Sequence, residues 1–466
     1  GGRMLEDKSK LGSVMLGART IQEGGAFPTV SREEVELFCI DHLVMVDVIA
    51  TEESLILDFQ TVTTPGPGKR GVTGIEAVMQ VAHIILTDFL YEEDAFERAK
   101  QSFHEQFSSI VKGLESACQE SLIYSLTSAN GRFLVPNHKQ IDALDLPTVK
   151  KAIRSQLNPA NIEVTMSGDL SIETMKNLVL NYLGTVPPVT TDNKNNEVEE
   201  ETDSNKVMSV KTLGKSQQLG VYLQDSDERA MGYLAGPAPN KWGVYANGET
   251  VSDVLRKLSN DNKDSKDTKK KGIAGLLARA RKSNNNADEA AKEDTPRDNP
   301  LFGYVALAVL QEVANRRLFS VVREERQLTY DASFQLQGFD SIQGGWYVVS
   351  VTSSPVQVQA AIRACKEALA SLKGPFGIMG DSVQSAKRTL LNRFRTDSVT
   401  NKFWIDNLTG VQLEEIPLKT LKSIVDYEKV LNSVTVTDIQ LLVNAFNFVE
   451  DNMTSCVGIT APQPPQ

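Results

Sequence analysis

Four histidines are the only imidazole side chains of the sequence, and they lie too far apart to form a hydrolytic zinc site. They are His42, His83, His104 and His138, and the closest two, His83 and His104, are 21 residues apart. A hydrolytic zinc takes about three protein ligands, commonly two histidines from adjacent turns of one helix, with a carboxylate base beside the bound water. Neither the HExxH spacing nor the inverted HxxEH spacing occurs. The residues therefore predict no such zinc site built by this chain alone.

Motifs for nucleophilic catalysis and for phosphate binding are also missing. The sequence contains no GxSxG elbow and no GxxxxGK[ST] loop. Its cysteines, Cys39, Cys118, Cys365 and Cys456, are too widely spaced for a CxxC metal pair and too few for a disulfide-stabilised secreted scaffold. A reducing compartment fits this pattern best, and we expect no cofactor-binding residues.

One segment, residues 316–330 with the sequence RRLFSVVREERQLTY, carries an arginine and a tyrosine seven residues apart. It begins as the end of a helix and runs toward a predicted strand at Tyr330–Gln335. From position alone, Arg323 is interpreted as a surface charge paired with a nearby acid, and Tyr330 as a residue of an amphipathic strand. A functional interpretation of the two needs more than their spacing.

Size and charge exclude several classes of protein. A chain of 466 residues is expected to form two to four units, each with its own core. The net charge of −11 argues against nucleic acid or anionic lipid as partners. No stretch approaches the roughly 18 uninterrupted apolar residues of a membrane span. Residues 1–8 lack the apolar stretch of a signal peptide, so we expect either no targeting segment or one that has been removed.

Apolar periodicity predicts a mixture of helices and strands in two similar parts. The first part has a hairpin with strands at 44–49 and 55–59, followed by two helices with apolar stripes over 75–89 and 96–110. The second part has strands near 219–223 and 346–351, with helices at 304–318, 356–372 and 382–394. A helix near 148 followed by a strand at 161–166 is repeated by a helix near 437 and a strand at 452–457, which is a weak sign of two copies of one fold.

Composition suggests where the domains meet. Residues 191–206 are polar and acidic, with too few apolar side chains to offset the entropy of ordering, and they predict a linker. The domains are therefore placed at 1–190 and 207–466. A charged insertion at about 260–299, with one possible short basic helix at 273–282, is expected to be a solvated and disordered surface segment to which no function is assigned.

The segment around Arg323 and Tyr330 resembles a signature in the C-terminal half of pitrilysin/insulysin-type zinc metallopeptidases. The matching letters are RLF at 317–319, VRE at 322–324 and QLTY at 327–330. In that family an arginine, and a tyrosine seven residues later, reach across to the substrate, and Arg323 and Tyr330 match both identities and the spacing. Further similar stretches lie at 16–25, 31–39, 225–230, 236–243 and 385–391. They narrow the resemblance to members that cleave transit peptides.

The resemblance implies an α+β fold with two homologous domains, each a mostly antiparallel sheet packed against helices. These would be the noncatalytic third and fourth domains of a four-domain clam shell. In the catalytic half of such peptidases, an HxxEH helix holds the zinc. The corresponding early helix here, residues 14–24, offers Met15, Leu16, Arg19 and Thr20 but no ligand. The complete enzyme would therefore contain zinc, but this chain would bind none.

The implied function is that of the substrate-binding, chamber-closing half of a zinc metalloendopeptidase that removes transit peptides from preproteins imported into the chloroplast. Arg323 would bind substrate carbonyls and Tyr330 would assist the oxyanion. The implied partners are a zinc-bearing N-terminal half, from the same precursor or a separate chain, and transit-peptide-bearing preproteins in the chloroplast stroma. Two alternatives remain open, a noncatalytic scaffold with this fold and a peptide-binding or assembly factor.

Overall fold

A computed structural model describes residues 1–62, 72–187, 209–210, 216–260, 296–374, 377–413, 416 and 418–462. The chain divides into two compact units. The first comprises Gly1–Met208 with Thr400–Gln412, and the second comprises Ser209–Val399 with Leu413–Gln466. The sequence assigns residues 400–412 to the second domain, whereas the contacts group them with the first unit. The predicted linker at 191–206 and the predicted basic helix at 273–282 lie outside the described residues.

Helices dominate the described residues. In chain order they are α1 (Ser13–Gly24), α2 (Arg32–Asp41), α3 (Gly74–Thr87), α4 (Glu93–Lys112), α5 (Leu114–Leu126), α6 (His138–Asp142), α7 (Leu146–Arg154), α8 (Ile172–Leu178), α9 (251–260), α10 (Phe302–Leu318), α11 (Val358–Ser371), α12 (Gly380–Asp397), α13 (Asn401–Leu408), α14 (Leu421–Val425), α15 (Tyr427–Ser433) and α16 (Val436–Phe446). The strands are β1 (Met45–Ala50), β2 (Leu55–Gln60), β3 (Gln217–Gln224), β4 (Arg229–Ala238), β5 (Ala332–Gly338), β6 (Gly345–Ser353) and β7 (Thr454–Ala461). Across the described parts of the chain, no helix combines the length and apolar character that a bilayer crossing needs.

The first unit confirms the predicted hairpin but not the strand expected at 161–166. Strands β1 and β2 pair antiparallel along their whole length. The backbone from Ile162 to Ser167 is irregular. Its Glu163 carboxylate instead accepts hydrogen bonds from the N–H groups of Gly410 at 2.5 Å and Gln412 at 3.1 Å. This segment is therefore tied to residues 400–412 through a side chain and not through a β-ladder.

Helix α1 forms the centre of the first unit. Its apolar side chains pack on two sides, with Val14 and Ile21 in one cluster and Leu16 against α4 in another. The fully buried carboxylate of Glu6 accepts hydrogen bonds from the N–H groups of Gly12 at 3.0 Å and Val14 at 2.9 Å, which satisfies the first turn of the helix. The helix that the resemblance aligns with the zinc helix of the catalytic half is thus a buried core helix in this chain.

The second unit is built on a five-stranded sheet in the order β3-β7-β4-β6-β5. Strands β3 and β7 are parallel, and the other neighbours are antiparallel. The middle strand, β4, has no counterpart in the sequence prediction, because its sequence RAMGYLAGPA is buried almost throughout and does not alternate. The expected mostly antiparallel sheet packed against helices is confirmed in this unit, whereas the described strands of the first unit form only a hairpin.

Helix α10 covers the outer edge of β5 with side-chain amides. The Asn315 amide nitrogen donates to the Phe334 carbonyl at 3.0 Å, and the Phe334 N–H donates to the Asn315 amide oxygen at 2.6 Å. The amide oxygen of Gln311 accepts from the Leu336 N–H at 3.1 Å. These bonds take the place of a neighbouring strand and fix the end of α10 relative to β5.

Burial protects three of the four thiols, so we expect slow alkylation of the native chain. Cys118, Cys365 and Cys456 are buried and Cys39 is half-buried. Burial raises the pKa of Cys365 to about 12 and also raises the pKa of Cys39, where Glu36 adds to the effect. With a thiol reagent at pH 7.5, at most one cysteine should react, slowly, and all four should react in urea. Rapid modification of more than one thiol in the native chain would contradict this packing.

Candidate functional site

Arg323 lies on a π-helical turn, Phe319–Glu325, that continues α10 without a break. Its side chain is exposed, and its guanidinium carbon lies 5.0 Å from the centre of the Phe319 ring, one turn earlier. The acidic partner expected from the sequence is not found among the described residues. The cation is therefore supported by an aromatic face and keeps its N–H donors available to another molecule.

Tyr330 is 92% exposed, the most exposed aromatic side chain of the described residues. Strand β5 begins at Ala332, so the predicted strand start at Tyr330 is two residues too early. The backbone on either side is nevertheless fixed, because the Asp331 carbonyl accepts from the Thr352 N–H at 3.2 Å at the end of β6. Tyr330 is a solvent-facing phenol on an ordered backbone.

A buried threonine holds the backbone beside Tyr330. The Thr329 side chain is only 8% exposed, and its hydroxyl donates to the Thr352 carbonyl at 2.5 Å and accepts from the Asp331 N–H at 3.0 Å. The Ser353 hydroxyl donates to the Leu328 carbonyl at 2.8 Å. Both residues that precede Tyr330 are therefore bonded to the end of β6.

A backbone hydrogen bond closes the turn between Arg323 and Tyr330. Gln327 adopts a left-handed backbone with φ of 53°, which reverses the chain after the π-helical turn. The Leu328 N–H then donates to the Val322 carbonyl at 3.1 Å, and Arg326 forms an ion pair with Glu367 of α11. The chain therefore reverses direction within the seven residues that separate the two side chains. Arg323 lies before the reversal and Tyr330 lies after it.

We expect Thr329→Val to destabilise the second unit by about 1–2 kcal/mol, because the isosteric valine cannot make the two hydrogen bonds. Thr329→Ser should recover most of the loss. The measurement is urea denaturation, and the matched control is Thr396→Val, at an exposed site on α12. Equal stability of Thr329→Val and Thr396→Val would show that the two hydrogen bonds of the Thr329 hydroxyl contribute nothing to the stability of the second unit.

The arrangement offers hydrogen-bond donors and no metal ligands. A guanidinium can bind carbonyl or carboxylate oxygens in pairs, and a phenol can donate to a developing oxyanion. Throughout the residues that the structure describes, no group of three or more His, Cys, Asp or Glu could hold a metal ion. On α1, Arg19 pairs with Glu23 at 2.7 Å and Leu16 is fully buried, so this helix does not fit the zinc of the family.

The sequence interpretation missed the residues that position the pair. Phe319 stands four residues before Arg323, a helical spacing that could have indicated the cation–π contact. The roles of Thr329 and Ser353 depend on the pairing of β5 with β6, for which a single sequence contains no local signal.

Residues 293–390 match the family model described as the peptidase M16 inactive domain. This match covers part of the second unit and shows what that part of the chain is similar to. Both Arg323 and Tyr330 fall within the matched residues, which run through α10, β5, β6 and α11. The resemblance to metallopeptidases drawn from the signature is confirmed.

The similarity to curated relatives covers nearly the whole chain. The chain is 34% identical over 463 residues to the chloroplastic stromal processing peptidase of Arabidopsis thaliana, with 99% of this chain and 34% of the relative covered. It thus spans about a third of the length of that relative. The predicted resemblance to this peptidase is confirmed, and the relative's name agrees with the predicted location in the chloroplast stroma.

Solved structures show the same fold at low identity. An M16 inactive domain from Pseudomonas fluorescens superimposes with a TM-score of 0.70 at 13% identity, covering 100% of this chain and 91% of that one. The periplasmic protease PqqL of Escherichia coli superimposes with a TM-score of 0.67 at 11% identity, covering 99% of this chain but only 42% of that one. The predicted α+β fold class is confirmed, and the M16 fold of this chain matches less than half of that longer protease.

Proposed function

We propose that this chain is the C-terminal, substrate-binding and chamber-closing half of a zinc metalloendopeptidase that removes transit peptides from preproteins imported into the chloroplast. One observation carries the proposal. Arg323 and Tyr330 are both exposed on a turn that hydrogen bonds hold in place, and both lie within the residues that match the M16 inactive-domain model. Nothing in the packing of the second unit requires either side chain. A purely structural domain has no need of these donors.

In this proposal the zinc and the water that it activates belong to an N-terminal half, in the same precursor or on a separate chain. The residues of this chain bind and orient the peptide. Arg323 donates hydrogen bonds to backbone carbonyls of the substrate, with its guanidinium held over the Phe319 ring. The Tyr330 hydroxyl donates to the oxygen that becomes negative when the scissile carbonyl is attacked.

The charge of the chain is compatible with the proposed substrate. Its net charge of −11 would favour the approach of a basic, flexible transit peptide. Electrostatic steering of this kind weakens with salt, because exposed charges are screened beyond about 10 Å at 0.1 M ionic strength. Substrate capture by the complete enzyme should therefore decrease as salt rises.

The proposal is tested by mixing the 466-residue chain with a zinc-bearing N-terminal half and measuring cleavage of a transit-peptide substrate. We expect cleavage that needs both halves and is abolished by a chelator. A stable complex of the two halves without zinc-dependent cleavage would instead support the noncatalytic scaffold. Cleavage at the same rate without this chain would overturn its role in substrate binding.

A further inference from the structure

Two helices of the first unit bring four polar side chains together in one chain of contacts. Helix α4 contributes His104 and Ser108, and helix α6 contributes His138 and Asp142, each pair four residues apart and hence on one helix face. The Nδ1 atoms of the two histidines are 2.7 Å apart. Nε2 of His104 lies 3.0 Å from a carboxylate oxygen of Asp142, and Nε2 of His138 lies 3.4 Å from the hydroxyl of Ser108.

The apolar packing beneath this cluster holds the two helices in place. Ile141 of α6 is fully buried in a core that includes Phe96 and Phe103 of α4. Reciprocal capping by Asn137 and Gln140 fixes the start of α6. The histidines therefore meet because the backbone brings them together, and each ring can shift without moving either helix.

Only one proton can lie between two nitrogens at this distance. If Nε2 of His104 donates to Asp142, then Nδ1 of His104 carries a lone pair that accepts from Nδ1–H of His138. When His138 instead carries its proton on Nε2, facing the hydroxyl of Ser108, both Nδ1 atoms hold lone pairs directed at the same point and both rings stay neutral. Two converging imidazole lone pairs are a typical binding arrangement for a transition-metal ion.

The distances suit such an ion after a small movement. Metal–nitrogen bonds of about 2.0–2.1 Å at a tetrahedral angle place two ligand nitrogens roughly 3.3 Å apart. The Nδ1 atoms, now at 2.7 Å, would have to separate by about 0.6 Å, which a rotation of the partly exposed His104 and the exposed His138 can provide. An open groove beside them, lined by Glu105, Ser108 and Lys112 among others, leaves room for water ligands.

The outer contacts are those that metal-binding histidines usually have. A histidine ligand commonly passes its second N–H to a carboxylate or another oxygen, which fixes the ring and raises its basicity. Asp142 does this for His104, and Ser108 is placed to do so for His138. The negative charges of Asp142 and Glu105 favour a cation, and Lys112 opposes it.

We propose that His104 and His138 bind one divalent transition-metal ion of the zinc or nickel class through their Nδ1 atoms, with water in the remaining positions. Two protein ligands are fewer than the three of a hydrolytic zinc site. The inferred site is therefore a binding site and not a catalytic one, and it is independent of the proposed peptidase function.

The test is a titration of the full, metal-free chain with Zn²⁺ at pH 7.5 by calorimetry, followed by NMR of the ring protons of the four histidines. We expect one ion per chain, with shifts confined to the signals of His104 and His138. His104→Gln or His138→Gln should weaken binding at least tenfold, and Asp142→Asn roughly tenfold. A Cys39→Ser background removes the half-buried thiol as a competing ligand.

The other two histidines provide matched controls. His42 and His83 each contact a backbone carbonyl through Nδ1, at 2.8 Å and 2.6 Å, and neither has a second histidine beside it. His42→Gln and His83→Gln should bind Zn²⁺ like the parent chain. Unchanged affinity in the His104 and His138 variants, or no binding of one equivalent by the folded parent, would overturn the proposal. If a histidine variant fails to fold, Asp142→Asn decides, because its carboxylate is 66% exposed.

Discussion

Replacing Tyr330 by phenylalanine is expected to lower peptide cleavage by the assembled enzyme by roughly a hundredfold, the usual effect of losing one oxyanion donor. The loss should appear in kcat, because the proposed hydrogen bond strengthens as the scissile oxygen becomes negative. The side chain is 92% exposed and its hydroxyl has no hydrogen bond within the described structure, so the thermal stability of the chain should not change. The assay uses the two halves together with a transit-peptide substrate.

Arg323→Ala should lower kcat/KM by about 10-fold to 100-fold, since a hydrogen bond to a charged group is worth about 1.5–3 kcal/mol. Arg323→Lys should recover only part of this, because an ammonium cannot bind two oxygens in the guanidinium geometry. The matched controls are Tyr124→Phe and Arg388→Ala, which alter exposed residues outside the turn. Normal cleavage by both Arg323→Ala and Tyr330→Phe would remove the basis of the proposed function, whereas parallel losses of activity and stability would indicate a structural role.

Much of the fold could be predicted from local sequence patterns. The helix predicted at 14–24 begins at Ser13, and the hairpin strands are found within a residue or two of their predicted bounds. These elements have one face in the core, so the period of their apolar residues reveals them. The same reasoning wrongly predicted a strand at 161–166. The residues there alternate in character, but Glu163 holds the segment through its side chain and no strand pairs with it.

The central strand β4 and the hydrogen bonds of the Thr329 hydroxyl could not be predicted in this way. A strand buried on both faces has no alternation, and β4 also contains Gly232, Gly236 and Pro237, which argue locally against a strand. Thr329 functions only because β5 and β6 pair at the correct register. Such long-range pairing leaves no local trace in a single sequence, whereas the roles proposed for Arg323 and Tyr330 rest on resemblance.

The largest effect on stability is expected at Arg3, where Arg3→Met should cost about 3–5 kcal/mol in the first unit, the range for breaking a buried ion pair. The Arg3 side chain is 4% exposed and donates to the carbonyls of Gly131 at 3.0 Å and Leu134 at 2.6 Å. Burial lowers the pKa of Arg3, and the nearby carboxylates of Glu6 and Glu52 oppose that shift. Methionine fills the space but leaves two carbonyls and the Glu6 carboxylate without their cation.

The loss should spread to α1, because the Glu6 carboxylate that loses its counter-charge also accepts the hydrogen bonds of the first turn of that helix. Hydrogen exchange of peptides covering residues 13–24, together with urea denaturation, measures both effects. The matched control is Arg32→Met, which breaks an exposed ion pair with Glu36 of 2.7 Å and should change stability by less than about 0.5 kcal/mol. If both variants unfold at the same urea concentration, the buried pair does not stabilise α1.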